Sequence, residues 1–310
     1  MSTNLSVDKS EILFFYESTY SMPNGDPFTG EQRYDEETKK VLVSDVRIKR
    51  FIRDHLYETG RDIYVRNDRT SVKDGKDRDA ESGAAARFNT LEAQHPKGTS
   101  AHDILTSMID VRLFGGISTK KGEAINLTGP VQFALLNPSL NRVDLRMHQN
   151  TSVFASSTEK SRGAIGTTTV VPYSLNQIHG WINSFSAKHT NLTQDDIHVM
   201  FTALWDSINN ANTRSKSNQA SLLLLQVVYS EPTKKLYGLD RAIGLHLNVD
   251  SPDKQEEQIR SREDYTLSFK KLKELVASDS VKAINYHTED NAIAGELAGV
   301  PKFTALKLSV

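Results

Sequence analysis

Few residues of this 310-residue chain have the type and spacing for covalent chemistry. There are no cysteines, which excludes thiolate nucleophiles, disulfides and cysteine-type zinc sites. The nine histidines include no pair four residues apart, the spacing of a helical metal site. Gly-x-Ser-x-Gly elbows, phosphate loops and Gly-x-Gly-x-x-Gly turns are missing. Ser118 to Lys121 and Ser157 to Lys160 have Ser-x-x-Lys spacing, but without the Ser-Asp-Asn and Lys-Thr-Gly partners such chemistry needs. What remains is cationic. Arg47, Lys49, Arg50 and Arg53 fall on one flank of a helix expected in the last part of the Val43 to His55 stretch, starting at Ser44. At about 100° per residue, Ile48, Phe51, Ile52, His55 and Leu56 fall on the other. A row of cations opposite a buried face suits a run of phosphates, although it also describes an ordinary solvated helix.

The elements around that helix sharpen the choice. Ser44 is a good N-cap and Asp45 sits in the first turn. Before it, Pro23-Asn24-Gly25-Asp26-Pro27 reads as a tight turn. Asn24-Gly25 is expected to supply positive φ and to present backbone N–H groups beside the helix start, which itself favours anions. Asn212 to Lys216, with Arg214 and Lys216, is a second cationic loop that reads equally as a plain helix-to-strand connection. Phe114-Gly115-Gly116 reads as a backbone turn, or as a place where missing side chains admit a ligand backbone.

Along the chain, Ile12 to Tyr16 is expected as a buried strand and Asp62 to Arg66 as a short one. Helices are expected over Ala80 to Gln94, Ala101 to Ile109 and Asn176 to Lys188. Another should start at Thr193, with Ile197, Phe201, Leu204 and Ile208 on one face. Val131 to Leu136 and Thr167 to Val171 read as strands, and Leu222 to Val228 as a central one covered on both faces. Polar, weakly patterned residues 141–166 suit a projecting hairpin, in which His148 and Arg162 are exposed. Met147 and Phe154 there suit either wedging between bases or packing on a neighbouring copy. Further strands are expected at Val281 to Tyr286 and Phe303 to Val310, with a helix around Phe269 to Val276. The order fits an α+β, split βαβ (ferredoxin-like) domain with large insertions, one of them helical over about 61–128.

The composition is that of a globular domain, with 37% hydrophobic and 25% charged residues. No apolar run approaches the ~20 residues of a membrane span, and the polar start carries no secretory pattern, so a cytoplasmic protein is expected. Net charge is -1, from 38 Lys+Arg against 39 Asp+Glu, so nucleic-acid binding requires the cations to be gathered on one surface. No cofactor or metal is expected.

The succession Asn24-Gly25-Asp26-Pro27, Arg33-Tyr34-Asp35 and Val43 to Asp54 resembles the opening of one CRISPR-associated family. It is the repeating backbone subunit of type I (Cascade) effector complexes, the "Cas-seven" family, in its I-B/I-C-like branch. Asp110 to Gly115, Gly129 to Phe133, Val171 to Leu175, Ala203 to Asp206 and Thr213 to Lys216 fit the same pattern in order, over about three quarters of the chain. Departures occur at Gln32, where proline is common, and at Ser217-Asn218 and Leu225-Gln226, where glycine and a later arginine are usual.

The resemblance implies a modified ferredoxin-like, RNA-recognition-type palm with a projecting thumb hairpin over about 141–166. It implies a non-catalytic subunit that polymerises along CRISPR guide RNA and holds it for pairing with target DNA, alongside other subunits and with no membrane partner. Because the aromatic signature of sheet-face base stacking is absent, backbone shape and charge are the expected mode of binding. The candidate RNA-binding residues are Asn24, Gly25, Arg33, Arg47, Lys49, Arg50, Arg53, Gly115, Gly116, His148, Arg162, Arg214 and Lys216. Related type III subunits cleave target RNA with an aspartate in a comparable loop. The alternative reading is therefore an RNA-guided ribonuclease using Asp26 (Asp35 being a second candidate acid), against a structural role accepting backbone N–H bonds.

Overall fold

A computed structural model describes residues 6–66, 83–118, 124–151, 165–248 and 255–308. The chain opens with β1 (Ser10–Ser21), whose even residues Ile12, Phe14 and Tyr16 face one core while Leu13 and Phe15 face another. A strand buried on both faces reads as an unbroken apolar run, which is why Ile12 to Tyr16 stood out. Two short strands, β2 (Tyr34–Asp35) and β3 (Lys40–Ser44), then lead into α1 (Asp45–Glu58). Ser44 caps α1 by accepting from the Arg47 N–H, and Ile48, Phe51, Ile52 and Leu56 are its buried face.

Next come α2 (Ala84–Gln94), α3 (Ala101–Thr106), α4 (Ile109–Phe114), β4 (Gly115–Ser118) and β5 (Ile125–Thr128). They share a small core of Tyr64, Phe88, Leu91, Ile104, Leu105 and Val111. The helix expected over Ala101 to Ile109 is thus two, broken at Ser107-Met108. The strand expected at Asp62 to Arg66 is irregular instead, because the N–H groups of Tyr64 and Val65 donate to the Asp110 carboxylate rather than to a neighbouring strand.

After β6 (Val131–Phe133), β7 (Leu136–Pro138) and β8 (Arg146–Thr151) comes an 18-residue strand, β9 (Ile165–Ile182). Its first part pairs with β8, from Arg146 opposite Val170 to Thr151 opposite Ile165, and the rest pairs with β1. The hairpin expected at 141–166 therefore has strands where its base should be, while Phe154 and Arg162 lie outside the described residues. The helix expected over Asn176 to Lys188 is a correction. Ile178 and Ile182 alternate at period two into the α1 core, so the segment stays extended until Asn183 caps α5 (Ser184–Thr190).

A reciprocal Thr193–Asp196 capping box starts α6 (Gln194–Asn209). β10 (Gln219–Tyr229), β11 (Gly244–Leu247), β12 (Tyr265–Ser268), α7 (Lys270–Val276), β13 (Val281–His287), α8 (Asn291–Leu297) and β14 (Phe303–Ala305) complete the chain. The main sheet runs β14-β13-β10-β1-β9-β6, with β8 added on β9. It is mixed, since β13 and β14 are parallel and the other pairs antiparallel. α1 and α6 cover the face of Ile12, Phe14 and Tyr16. The C-terminal elements cover the other. The architecture is α+β, and no helix among the described residues is long and apolar enough to cross a membrane.

Candidate nucleic-acid interface

Residues 22–33 form a closed loop at the start of α1. The Asp26 N–H donates to Glu31, the Arg33 N–H donates to the Asn24 carbonyl, and the Asn24 N–H donates to Gln32 Oε1. The positive φ expected at Asn24-Gly25 is found instead at Gly30, φ 72°. A Cβ on Gly25 would lie 2.6 Å from the Met22 sulfur, so a side chain there would make that flexible thioether shift. Asn24 is buried, and its side-chain oxygen accepts from both the N–H (2.7 Å) and the hydroxyl (2.8 Å) of Ser44. Neither its amide N–H nor its side-chain oxygen is left for a ligand.

The four helix cations differ sharply. Lys49 lies 3.2 Å from Asp45 and 2.9 Å from the Gln132 side-chain oxygen. Arg53 donates at 3.0 Å to Asp110, a fully buried carboxylate, and sits over the Phe114 ring. Arg50 pairs with Asp54 one turn on but stays half exposed. Arg47 has neither an ion pair nor a side-chain hydrogen bond among the described residues; its guanidinium sits over Phe51, 3.7 Å from the ring centre. Burial pulls the pKa of this guanidinium below its ordinary value. Arg33 pairs with Asp26 at 2.9 Å, and its Nε–H has no partner among the described residues.

Arg33, Arg47 and Arg50 line one cleft of about 560 Å³, together with Asn24, Gly25 and Leu135. A second cavity of about 390 Å³ is lined by Tyr20, Met22, His148, Thr168, Arg214 and Ser215. The Met22 N–H donates to the Ser215 carbonyl, and the Met22 carbonyl accepts from the buried Lys216 ammonium. Burial, and secondarily the nearby Arg47 charge, pushes the Lys216 pKa down to about 8. Arg214 is exposed and has no partner among the described residues. Arg47 and Lys216, more than 150 residues apart in sequence, thus lie close enough for one charge to act on the other.

Gly115 and Gly116 do not line these cavities. Gly115 has φ 81°, and a Cβ on it would sit 2.2 Å from the Leu127 carbonyl oxygen. That glycine serves the chain's own packing against Leu127 and Gly129. Asp26 is likewise occupied, accepting from the Phe28 and Thr29 N–H groups besides pairing with Arg33. These backbone hydrogen bonds, with Arg33, hold its carboxyl below the usual range. Asp35 caps its own turn, accepting from the Glu37 N–H and from the Thr38 N–H and hydroxyl. Among the described residues no group of three or more His, Asp or Glu is placed to hold a metal ion. The sequence reading passed over Tyr20, and nothing local marks it, since its place is set by where β1 ends.

An α+β sheet protein with a cationic cleft at the head of its first helix is the class that fold and site define. The family model described as "CRISPR-associated protein Cas7" matches residues 8–270, so the chain belongs to the Cas7 family. A Haloferax volcanii protein named CRISPR-associated protein Cas7 is 29% identical over 294 residues, covering 87% of this chain and 83% of that one. The fold is also that of chains in two solved assemblies. One, titled CRISPR RNA-guided surveillance complex, matches with TM-score 0.51 and 13% identity over 96% of this chain and 94% of that one. The other, the same complex described as pre-nicking, matches with TM-score 0.52 and 14% identity over 96% of each.

Proposed function

We propose that this chain is a guide-RNA-binding backbone subunit of a type I CRISPR interference complex. On this reading it is non-catalytic, cytoplasmic, and repeats along the RNA beside copies of itself and other subunits. It holds the guide so that base pairing, not the protein, reads the target DNA strand. The strand order β10-β1-β9-β6, with α1 and α6 on one face, supports reading the sheet as a ferredoxin-like palm with the β8–β9 pair as the root of a thumb. Membership in the Cas7 family and the titles of the matched assemblies support the assignment.

The observation that carries it is Arg47. A guanidinium stacked on Phe51, drawn out of water and left without an acceptor, is costly unless an anion completes it. A phosphate does so, and Arg33 and Arg50, which line the same cleft, take the phosphates on either side, with Arg214 in a second cavity as a further cation. Lys49, Arg53, Gly115 and Gly116, which the sequence grouped with them, act in this reading as supports.

The test is RNA recovery. Arg47→Ala with Arg50→Glu should abolish co-purification of guide RNA while the RNA-free chain stays folded, with a modest drop in melting temperature from the lost Phe51 stack and the new repulsion between a glutamate at position 50 and Asp54. RNA recovered at the wild-type level from a folded double variant would reject the proposal.

A further inference from the structure

Three side-chain oxygens from three strands meet where the C-terminal elements cover the sheet. Glu17 on β1, Tyr173 on β9 and Tyr265 on β12 touch one another in a triangle. The Tyr173 hydroxyl donates to Glu17 Oε1, and the two tyrosine hydroxyls lie 2.9 Å apart. The Tyr265 hydroxyl is 3.3 Å from the same Glu17 oxygen. Tyr265 is wholly enclosed and Tyr173 nearly so. Such a triangle has three edges, and each needs a proton to be attractive. The tyrosines supply two. With Glu17 ionised, one edge is left without a proton. With Glu17 protonated, its hydroxyl donates to Tyr265, Tyr265 to Tyr173 and Tyr173 back to Glu17, so every edge is filled.

The charged groups around the triangle do not remove that deficit. Arg262, in the turn before β12, lies over the Tyr265 ring at 5.0 Å, but its Nε–H donates to Asp290 and an Nη1–H to the Tyr265 carbonyl. Glu263 beside it adds a like charge. Leu175 and Ala220, opposite Glu17 on the two neighbouring strands, carry none. Burial outweighs the tyrosine hydrogen bonds and the Arg262 charge, and raises the Glu17 carboxyl above its ordinary value of 4.5. Burial lifts both tyrosines as well, so they keep their protons.

Its place gives that third proton a structural task. β11 and β12 form a two-stranded ribbon that shares no ladder with the main sheet among the described residues. Apolar contacts of residues such as Leu267 hold it to the sheet, and the triangle is a polar tie between them. Tyr173 lies three residues beyond Val170, the last residue of β9 to pair with β8. We propose that Glu17, Tyr173 and Tyr265 form a proton-dependent latch, which clamps the β11–β12 ribbon to the sheet at the base of the β8–β9 arm while Glu17 is neutral and loosens when it ionises. None of the three lines either cationic cavity, so the latch stands whether or not the RNA-binding reading does. Above pH 4.5 the folded chain keeps a proton that the unfolded chain has lost. The stability from this group is therefore full below that value and is lost as pH rises through the folded pKa.

Glu17→Gln keeps an acceptor oxygen and supplies an N–H at every pH, so it serves as a latch that stays closed. Hydrogen exchange of the β11–β12 amides is compared between the two full-length proteins at matched pH, which cancels the intrinsic exchange rate. The rates should agree near about pH 4 and then diverge, wild type exchanging faster, with the ratio growing by up to about tenfold per pH unit until the folded carboxyl has titrated. Amides of α6, on the other face of the sheet, should exchange alike in both. Tyr265→Phe leaves one edge, which the Tyr173 proton fills, so the pH dependence of its ribbon exchange should be weaker than in wild type. A ratio that does not change with pH, or the same ratio in α6 as in the ribbon, would overturn the latch. So would an undiminished pH dependence in Tyr265→Phe.

Discussion

Asn24 and Ser44, twenty residues apart, are joined by one amide oxygen that takes both the N–H and the hydroxyl of Ser44. Ser44 in turn caps α1 by accepting from the Arg47 N–H. The loop, the cap and the key arginine are thus one hydrogen-bonded chain. Asn24→Ala leaves two Ser44 donors unsatisfied in a buried place, which should cost about 1–3 kcal/mol in urea denaturation. The backbone of Arg47 loses its anchor as well, so RNA affinity should fall even where the variant remains folded. Asn24→Asp restores the acceptor and should recover most of the stability. Equal losses in both variants would show that the amide oxygen is not what matters.

Arg53 and Asp110 make a different kind of pair. Asp110 is wholly buried and accepts from Arg53, Tyr64 and Val65, tying α1 to the segment after it and to α4. Removing one partner of a buried ion pair costs about 3–5 kcal/mol. Asp110→Ala should therefore fall in that range by urea midpoint. Arg53→Met, which keeps the stem over Phe114, should destabilise the fold yet leave the RNA affinity of the folded protein unchanged. Loss of RNA binding without loss of stability would return Arg53 to the interface.

Lys216 makes the surface sensitive to pH. Burial lowers its pKa from 10.5 to about 8. Between these values the unfolded chain holds a proton that the folded chain has released, so stability rises with pH across that window. RNA phosphates would oppose the effect by favouring the charged ammonium. Affinity should therefore fall as pH rises through about 8, while the RNA-free melting temperature gains from this group. Melts and RNA titrations at about pH 7 and about pH 9 read both slopes, and Lys216→Met should flatten them together.

Local signals carried much of the fold. Ser44 as cap, the Ile48–Phe51–Ile52–Leu56 face, the Thr193 start of α6 and the doubly buried Leu222 to Val228 all appear where propensity and periodicity put them. Residues 176–182 were misread because polar Asn176 and Gln177 hid the period-two alternation of Ile178, Gly180 and Ile182. The cation row was only half legible. The Lys49–Asp45 and Arg50–Asp54 spacings are visible one helical turn apart, but Asp110 is 57 residues from Arg53, and no local pattern pairs them. The nearness of Arg47 to Lys216 is purely tertiary, set by the β1 end lying between β9 and the 213–218 loop.

β9 runs unbroken from the arm it forms with β8 into the middle of the sheet, between β1 and β6. No glycine-rich joint or change of element separates the two parts at Val170 and Val171. Over the described residues the β8–β9 arm therefore takes its heading from the twist of the main sheet, with no hinge between the two pairings. In a filament of such units, the angle between successive copies would be written into the strand itself.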